Sequence, residues 1–326
     1  MWSYQTDSTL KLKRVTLRSS DIALSLVLHN EQKHIPRLAA SVLRQTLQDF
    51  KIYVTDNNSS DNSAVLLKEL LPDADIHLSK QNPGFAAAHN LNMKRAFAED
   101  TTAVFILNTD TEIDDNCLSV MNDFLTANKS TGIIAPMVLY GDERGRTDEI
   151  QSFRIKADFK KGRVTSIDDK SEYSKSNQPE SAKVNYVTGT ACVIRKEVFD
   201  LTSGFEESNF LYGEEMDFCY RASLEGIQMA AIRDAKVWHY HDWSKKNRRG
   251  LNMEYYYINR NKVRFFKRYD LKSSLLRFIL NEIFISPRRI RWALKTGGRK
   301  LTYYFYLGIL HGLKNKSGIS TKKSFN

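Results

Sequence analysis

Short apolar runs alternate with helical patterns through the first third of the chain, and this alternation restricts the fold more than any other feature. The run Ile22–Leu28 has the length of a buried strand, and residues 34–45 then carry apolar side chains at helical spacing. The series continues with strands at residues 51–55 and Ala103–Leu107 and helices at residues 62–71 and 86–98. Repeats of this kind are typical of βαβ units around a mostly parallel sheet. Such sheets bind ligands at the carboxyl ends of their strands, so the residues that follow these strands are the first candidates for a site.

The second half of the chain is less regular. Residues 141–183 are charged and weakly periodic, which predicts a long excursion, perhaps with a hairpin, of the kind that forms lids or binding loops. Periodic pattern returns at residues 184–194, and a helix near residues 215–225 and a short strand at residues 235–238 are expected after it. From about residue 250 the pattern is helical, and Pro287 is expected to end one of the helices.

Charge is distributed unevenly along the chain. Residues 245–326 contain 21 Lys and Arg against three acids, a net +18, so the first 244 residues carry −7 of the total +11. Such a basic tail predicts an anionic partner. Interleaved aromatic residues are compatible with nucleic acid, but two short apolar segments, residues 275–285 and 301–313, lie beside arginines and favour helices on an anionic membrane surface.

Other features of composition exclude several classes of protein. The first twenty residues are polar and do not resemble a signal peptide, and no apolar run reaches the roughly 18 residues that a spanning helix needs. Three widely separated cysteines, Cys117, Cys192 and Cys219, predict buried free thiols in a reducing cytosol rather than a disulfide framework or a zinc site.

Polar segments follow each predicted strand of the first half. Residues 108–112 (NTDTE) come directly after a buried strand, where carboxylates are costly unless a cation binds them. Mg²⁺ or Mn²⁺ takes such ligands and bridges them to substrate phosphates, although an acidic capping turn has the same composition. Residues 56–63 (DNNSSDNS) could hydrogen-bond a base and a ribose or form an ordinary polar loop. In residues 82–90 (NPGFAAAHN), a Pro-Gly turn precedes small residues that allow close approach of the backbone.

Acidic and histidine residues cluster in the second half. Glu214, Glu215 and Asp217 put three acids within four positions, a pattern that indicates proton chemistry or an acidic helix N-terminus. His239 and His241 lie just past a strand, where a metal or phosphate contact competes with a structural role.

Taken in this order, these segments resemble the family-2 glycosyltransferases, most closely the branch with bacterial rhamnosyltransferase-like enzymes. The resemblance extends over about residues 23–270 and implies an α/β GT-A (nucleotide-diphospho-sugar transferase) fold, a mostly parallel central sheet flanked by helices. The implied organisation is an N-terminal extension at residues 1–20, a catalytic domain at 21–245 and a basic helical C-terminal region at 246–326. Within the catalytic domain, the donor-binding half would end near residue 115.

The resemblance also implies roles for individual residues. Glu215 stands where the family has the Asp that acts as catalytic base, with Glu214 as the alternate base and Asp217 completing the motif. The donor-binding residues implied in the same way are Asn30, Asp56, Asn58, Asn82, Gly84, Phe85, Asn90, Asn108, Thr109, Gly189 and Thr190.

The implied cofactor is a divalent metal, Mg²⁺ or Mn²⁺. Asp110 would be its main ligand, with help from Glu112 and from His239, and the proximity of His241 leaves the histidine register open. A single firm carboxylate predicts a metal that binds well only when the donor diphosphate is present.

The implied activity is inverting transfer of a sugar from a nucleoside-diphosphate donor to a hydroxyl of a cell-surface glycan or lipid-linked acceptor. dTDP-rhamnose is the favoured donor, with UDP-hexoses and UDP-N-acetylhexosamines as alternatives. The expected location is the cytoplasm, peripherally on the inner face of the cytoplasmic membrane, and a homo-oligomer is possible. A catalytically inactive homologue that only binds donor is a further alternative, against which the complete set of acids argues.

Overall fold

The computed structural model describes residues 22–175, 177–240, 248–296, 298–320 and residue 325. The strands are β1 (Ile22–Leu28), β2 (Lys51–Asp56), β3 (Asp75–Leu78), β4 (Ala103–Leu107), β5 (Thr111–Ile113), β6 (Thr131–Asp142), β7 (Gly145–Ser152), β8 (Ile155–Asp158), β9 (Arg163–Ser166), β10 (Ser181–Val184), β11 (Ala191–Arg195) and β12 (Gln228–His239). The helices are α1 (Ile35–Leu43), α2 (Ser63–Leu70), α3 (Phe85–Ala98), α4 (Cys117–Ala127), α5 (Lys196–Thr202), α6 (Glu214–Leu224), α7 (Arg248–Arg268), α8 (Lys272–Thr296) and α9 (Arg299–Leu313).

One large sheet organises these elements, in the order β10-β12-β6-β11-β4-β1-β2-β3, with β5 paired to β12 and β7 to β6. The α/β class predicted from the sequence is confirmed. β3, β2, β1 and β4 run parallel, as expected of βαβ units. The second half is mixed, because β11 runs antiparallel to both β4 and β6 while β12 runs parallel to β6. The prediction of a mostly parallel sheet therefore holds for the first half only.

The central strands are apolar throughout because both faces of the sheet are covered. On β1, Leu24, Leu26 and Leu28 point into one core, which α1, α2 and α4 complete. Ala23 points into the opposite core, which α3, α5 and α6 complete. Continuous apolar runs are the expected pattern for strands buried on both sides. All three cysteines are buried and free, as predicted.

The charged excursion at residues 141–183 is largely β-structure. β6 and β7 form an antiparallel pair, and β8 and β9 form a separate two-stranded sheet, so the expected hairpin is present. β7 returns along the edge of the main sheet and brings Gln151 beside His239 at the end of β12. The excursion thus supplies a side chain to the candidate site.

The C-terminal helices α7, α8 and α9 pack against one another, and α7 also contacts α6 and the loop before it. The prediction that Pro287 ends a helix is wrong, because α8 continues through it to Thr296. A proline inside a helix leaves the carbonyl four residues earlier without its N–H donor. Here that carbonyl belongs to Ile283, and the hydroxyl of Ser286 donates to it at 2.8 Å. In the described part of the chain, no helix has both the length and the apolarity that crossing a bilayer requires.

Close approach of α9 to α7 depends on glycine. A Cβ on Gly308 would collide with the backbone carbonyl of Tyr256, and one on Gly312 would lie 2.7 Å from the backbone carbonyl oxygen of Arg260. Substituting alanine for glycine in a helix normally stabilises it by about 0.5–1 kcal/mol. We expect Gly308→Ala instead to destabilise the protein by about 1–3 kcal/mol, the usual range for overpacking. Urea unfolding checks this, with Leu310→Ala on the exposed side of α9 as the control. An unchanged or higher unfolding midpoint for Gly308→Ala would show that the two helices separate freely.

Candidate active site

Asp110 and His239 form the centre of the candidate site. His239 Nε2 lies 3.2 Å from Asp110 Oδ1, and the other ring nitrogen, Nδ1, lies 3.0 Å from Gln151 Oε1. The backbone N–H of Tyr240 also donates to the carbonyl of Asp110, which holds the end of β12 against this segment. A hydrogen bond to Gln151 fixes the ring orientation and directs Nε2 toward the carboxylate, as outer partners of metal-binding histidines do.

Glu31 also lies near Asp110, although it was not among the predicted site residues. Its side chain is hydrogen-bonded to that of Thr109, and burial together with the negative charge of Asp110 raises the pKa of Glu31 to about 7. The sequence contained a signal for it, because Glu31 follows β1 just as Asp110 follows β4. The two acids occupy the same carboxyl edge of the parallel strands.

Glu112 is placed differently from its predicted role as a second metal ligand. Its Oε1 accepts hydrogen bonds from Arg44 and Arg146, and its Oε2 accepts one from Tyr240 at 2.7 Å. Burial raises the pKa of Glu112, but the bonds from Tyr240 and Arg146 outweigh it and hold the pKa below its ordinary value. Both oxygens are therefore engaged, and Glu112 ties β5 to its neighbours.

The residues that could hold a divalent metal are thus Asp110 and His239. The 3.2 Å separation of His239 Nε2 and Asp110 Oδ1 suits either an Nε2–H hydrogen bond to the carboxylate or a metal ion held by both atoms. Neighbouring ligands of one octahedral Mg²⁺ lie about 3 Å apart, so the pair fits such an ion. Among the described residues, no group of three or more His, Cys, Asp or Glu side chains forms a fuller set. The remaining ligands would be donor phosphate and water. His241 lies outside the described residues.

The predicted nucleoside-binding residues lie together beyond β1 and β2. Leu28 and Asp56, at the ends of these strands, pair directly, and the next N–H, that of Asn57, donates to the carbonyl of Leu28. The carboxylate of Asp56 accepts from the N–H and hydroxyl of Ser59, while Asn30 Oδ1 accepts from the N–H of Ser60 at 2.8 Å. These bonds fix the loop between β2 and α2 against the end of β1.

Asn57 was missed in favour of its neighbour Asn58. Asn58 is exposed at φ +60°, whereas Asn57 is buried. The Asn57 amide donates to the carbonyl of Gly84 at 3.2 Å, and its Oδ1 has no hydrogen-bond partner. Asn82 Oδ1 accepts from the N–H of Gly84, so the Pro-Gly turn is held from both sides. A buried oxygen without a partner is an available acceptor for a ligand N–H.

Asn90 does not line the donor site as predicted. Its amide nitrogen donates to the carbonyl of Phe205 and to Glu207, and its amide oxygen accepts from the N–H of Phe205. With these bonds the buried side chain holds the Gly204-Phe205 turn. Phe85, by contrast, packs edge-on against Phe205, and its ring lies against Gly189.

Gly189 and Thr190 join the two halves of the site. The N–H of Asn108 donates to the carbonyl of Thr190 at 2.9 Å, and the N–H of Gly189 donates to Glu215 Oε1 at 3.1 Å. A Cβ at Gly189 would lie 2.9 Å from that carboxylate oxygen and from the ring of Phe85, so only glycine allows this approach. Two adjacent residues therefore connect the segment that carries Asp110 with Glu215.

Glu214 and Glu215 begin α6 side by side. Burial and the neighbouring Glu215 raise the pKa of Glu214 well above its ordinary value. Burial likewise raises the pKa of Glu215, against the lowering effect of its bonds to backbone N–H groups. Glu214 Oε2 is buried without a hydrogen-bond partner, whereas Glu215 is partly exposed beside Gly189. The accessible carboxylate is thus that of Glu215.

Asp217, predicted as part of the catalytic set, is enclosed by two guanidinium groups. Its side chain is 1% exposed, and its two oxygens accept from Arg221 on α6 and from Arg268 on α7. A carboxylate paired in this way is not available to a substrate hydroxyl. Asp217 instead fixes α7 to α6.

Comparison with known proteins identifies the family of the chain. The family model described as "Glycosyl transferase family 2" matches residues 25–202, more than half of the chain. The chain belongs to glycosyl transferase family 2. It is therefore a glycosyltransferase, and Asp110, Gly189 and Thr190 lie within the matched family region. Glu215 and His239 lie beyond it.

Curated relatives have low sequence identity to this chain, but the matches cover most of it. Rhamnosyltransferase WbbL of Escherichia coli K12 is 24% identical over 270 residues, covering 78% of this chain and 98% of that protein. The low-salt glycan biosynthesis hexosyltransferase Agl10 of Haloferax volcanii is 26% identical over 68% of this chain and 67% of its own length. The dTDP-rhamnosyl transferase RfbF of Shigella flexneri is 22% identical, over 68% of this chain and 69% of that protein.

Solved structures share the fold at low identity. TarS residues 1–349 of S. aureus, in complex with UDP-GlcNAc, matches with a TM-score of 0.57 at 14% identity, over 91% of this chain and 81% of that one. GalNAc-T7, with UDP, GalNAc and Mn²⁺, matches with a TM-score of 0.58 at 14% identity, over 76% of this chain and 47% of that one. The GT-A fold predicted from the sequence is confirmed.

The raised pKa of Glu214 predicts a pH-dependent stability. Since the folded state favours the protonated carboxyl, its stabilising contribution is complete below the unfolded pKa of about 4.3 and is lost as pH rises through the folded pKa. Glu214→Gln cannot ionise, so its melting temperature relative to the parent protein should rise as the pH increases above about 4.3. Thermal unfolding across this range checks the prediction, with Glu69→Gln, exposed on α2, as control. A difference that does not vary with pH would contradict it.

Proposed function

We propose that this glycosyltransferase moves a sugar from a nucleoside-diphosphate donor to an acceptor hydroxyl by a single displacement with inversion. The observation that carries the proposal is the bridge at Gly189-Thr190, which is hydrogen-bonded on one side to Asn108 and on the other to Glu215. The segment that would bind the diphosphate and a carboxylate with raised pKa are thereby joined through two adjacent residues. Inversion requires a base on the acceptor side and charge stabilisation on the leaving-group side.

Glu215 is the proposed general base. Its carboxylate is partly exposed and oriented by the N–H of Gly189, and its raised pKa favours uptake of a proton from the acceptor hydroxyl as that oxygen attacks the anomeric carbon. Asp110 and His239 would hold Mg²⁺ or Mn²⁺, which when bound supplies positive charge to the departing diphosphate. Phe85 forms an apolar wall next to Gly189 and restricts water there.

The proposed donor is dTDP-rhamnose. Two of the relatives, WbbL and RfbF, are named as rhamnosyl transferases, and RfbF as a dTDP-rhamnosyl transferase. UDP-hexoses and UDP-N-acetylhexosamines are the alternatives, since TarS binds UDP-GlcNAc on the same fold. The nucleoside would lie at Asn30, Asp56 and Asn57, beyond β1 and β2. Thermal shifts with each nucleotide sugar, with and without Mn²⁺, separate these donors because bound ligand stabilises the fold by mass action.

Two substitutions separate the roles of the acids. Glu215→Gln should retain donor binding but lower kcat about 10²–10⁴-fold, the usual contribution of a general base. Asp110→Ala should abolish both transfer and the Mn²⁺-dependent part of the donor-induced thermal shift. Single-turnover transfer and thermal shifts check these outcomes, with Glu112→Gln as a control that retains metal-dependent donor binding. Near-parental kcat in Glu215→Gln would exclude this residue as the base.

We also propose that the C-terminal helices bind an anionic membrane surface, through one face of α8, and that the acceptor is a lipid-linked or cell-surface glycan. Exposed apolar residues recur along α8 at spacings of four, three, seven and four residues. They are Leu276, Leu280, Ile283, Ile290 and Leu294. The exposed cations Arg277, Arg288, Arg291 and Lys295 border this apolar stripe. An apolar face with a cationic border is the pattern of helices that lie in the interface of anionic bilayers.

Other occupants of the stripe fit less well. A second copy of the chain would bring the same cationic border against itself, and the one acid on α8, Glu282, already pairs with Arg289 at 3.1 Å. Nucleic acid would contact the cations but would leave the apolar stripe in water. An enzyme on the inner face of the cytoplasmic membrane would meet a lipid-linked acceptor there.

Sedimentation with phosphatidylglycerol and phosphatidylcholine vesicles tests the membrane proposal. We expect the parent protein to bind the anionic vesicles, and Ile283→Glu to bind them about tenfold or more weakly, from the apolar area lost. Leu201→Glu on α5 is a matched control, because Leu201 is 58% exposed and Ile283 60%. Donor hydrolysis should be retained in both variants. Equal vesicle binding by all three proteins would overturn the proposal. So would an Ile283→Glu variant that loses a dimer but still binds vesicles, or a parent protein that binds a DNA duplex more tightly than anionic vesicles.

A further inference from the structure

The loop before α6 has an unusual backbone. Phe210, Tyr212 and Gly213 have φ values of +66°, +63° and +88°. The N–H of Leu211 donates to the carbonyl of Asn209 at 2.8 Å, which closes a γ-turn of the strained kind about Phe210. Bulky residues held in such regions cost about 1–3 kcal/mol each and persist only where the surroundings fix them. The shape of this loop must therefore be imposed from outside it.

Helix α7 provides that support through a single buried amide. Asn261 Nδ2 donates to the carbonyls of Asn209, Leu211 and Tyr212, at 3.1, 3.0 and 2.6 Å. These carbonyls flank both of the aromatic residues with positive φ. The side chain of Arg260 contributes a bond to the same carbonyl of Asn209 at 2.6 Å, and its Nε bonds to Asn261 Oδ1. One asparagine thus connects α7 to three carbonyls within a four-residue stretch.

Two further arginines on the same face of α7 hold the ends of this region. Arg264 donates to the carbonyl of Ser208 at 2.8 Å, on the upstream side. Arg268 pairs with Asp217, within the first turn of α6. Burial and the charges of Arg260 and Arg268 lower the pKa of Arg264 to about 10. The guanidinium groups of Arg260, Arg264 and Arg268 therefore lie close together, despite their mutual repulsion, around this loop and the start of α6.

The supported loop leads directly into the proposed base. Gly213 precedes the first residue of α6, and Glu215 follows two positions later with its Oε1 at 3.1 Å from the N–H of Gly189. A change in the path of the loop would shift the first turn of α6 and this carboxylate with it. A misplacement of about 1 Å at a reacting group can cost about 10²-fold in rate.

We propose that Asn261 is a positioning residue for catalysis, which sets Glu215 at the acceptor hydroxyl by fixing the backbone of the loop at residues 209–213 from α7. This inference rests on the proposed role of Glu215 as base. Asn261 acts through the main chain of the loop. Because the carbonyl of Phe210 in this loop also accepts from the N–H of Phe85, loss of Asn261 should lower kcat by a larger factor than it weakens donor binding.

The chain contains a matched control on the same helix. Asn252 is 4% exposed and Asn261 2%, and the Asn252 amide donates to the carbonyl of Phe325 at 2.8 Å, away from the loop. We expect Asn261→Ala to lower kcat about 10²-fold with a smaller change in donor Kd. The acid limb of its pH–rate profile should shift, because Glu215 changes its surroundings. Asn252→Ala should lose comparable thermal stability and retain kcat. Asn261→Gln, which keeps the amide but lengthens it by a methylene, should fall between Asn261→Ala and the parent and remains informative if the alanine variant does not fold.

A double variant separates this proposal from the assignment of the base. If Asn261 acts through Glu215, Asn261→Ala should lower kcat no further in a Glu215→Gln background. A full additional loss in that background, or equal kcat losses in the Asn261→Ala and Asn252→Ala variants, would overturn the positioning role. Near-parental kcat in both Asn261→Ala and Asn261→Gln would do the same. High activity in Glu215→Gln alone would instead overturn the proposed base.

Discussion

Strand β4 pairs antiparallel with β11, so that Leu107 at the end of β4 lies opposite Ala191 at the start of β11. The next residue after β4, Asn108, and the residue before β11, Thr190, are therefore neighbours at the edge of the sheet and share a hydrogen bond. Because side chains alternate along a strand, a slip of one residue would exchange the side chains that β11 directs into the two cores. β11 is buried on both faces, which fixes this register. The distance between the segment that carries Asp110 and the carboxylate of Glu215 is therefore set by core packing rather than by the loops themselves.

Two groups of buried or half-buried acids differ in their electrostatic surroundings. Glu112, Asp168 and Asp217 each accept bonds from arginine, which offsets the cost of removing a carboxylate from water. Glu214 and Glu215 have raised pKa values and form no ion pair among the described residues, and their contacts are with each other and with backbone N–H groups. A desolvated carboxyl without a cation is unfavourable for folding, and such groups cluster at functional sites. This difference separates the proposed site acids from the structural acids more clearly than their order in the sequence.

The parallel half of the fold and the polar strand ends could be predicted because both follow from local pattern. Apolar runs with helical segments between them require a covered sheet, and Asp56 and Asp110 had to lie at its carboxyl edge. The roles of Asn90, Glu112 and Asp217 could not be predicted in the same way. Each has a residue type that often contacts ligands, yet each is bonded to a residue distant in the sequence: Arg44 for Glu112, Phe205 for Asn90 and Arg268 for Asp217. Only the tertiary arrangement distinguishes a polar side chain that is free to bind a substrate from one whose hydrogen bonds are made to the protein itself.

The basic tail also shows the limit of sequence pattern, because its cations have two different roles in the structure. Its composition indicated a separate region at an anionic surface, but Arg260, Arg264 and Arg268 of α7 point into the catalytic domain. The exposed cations that border an apolar face belong to α8 instead. Helix α9 packs closely on α7 through Gly308, and α7 also holds the loop before α6 through Asn261. A boundary at residue 245 therefore separates two parts of a single packed unit.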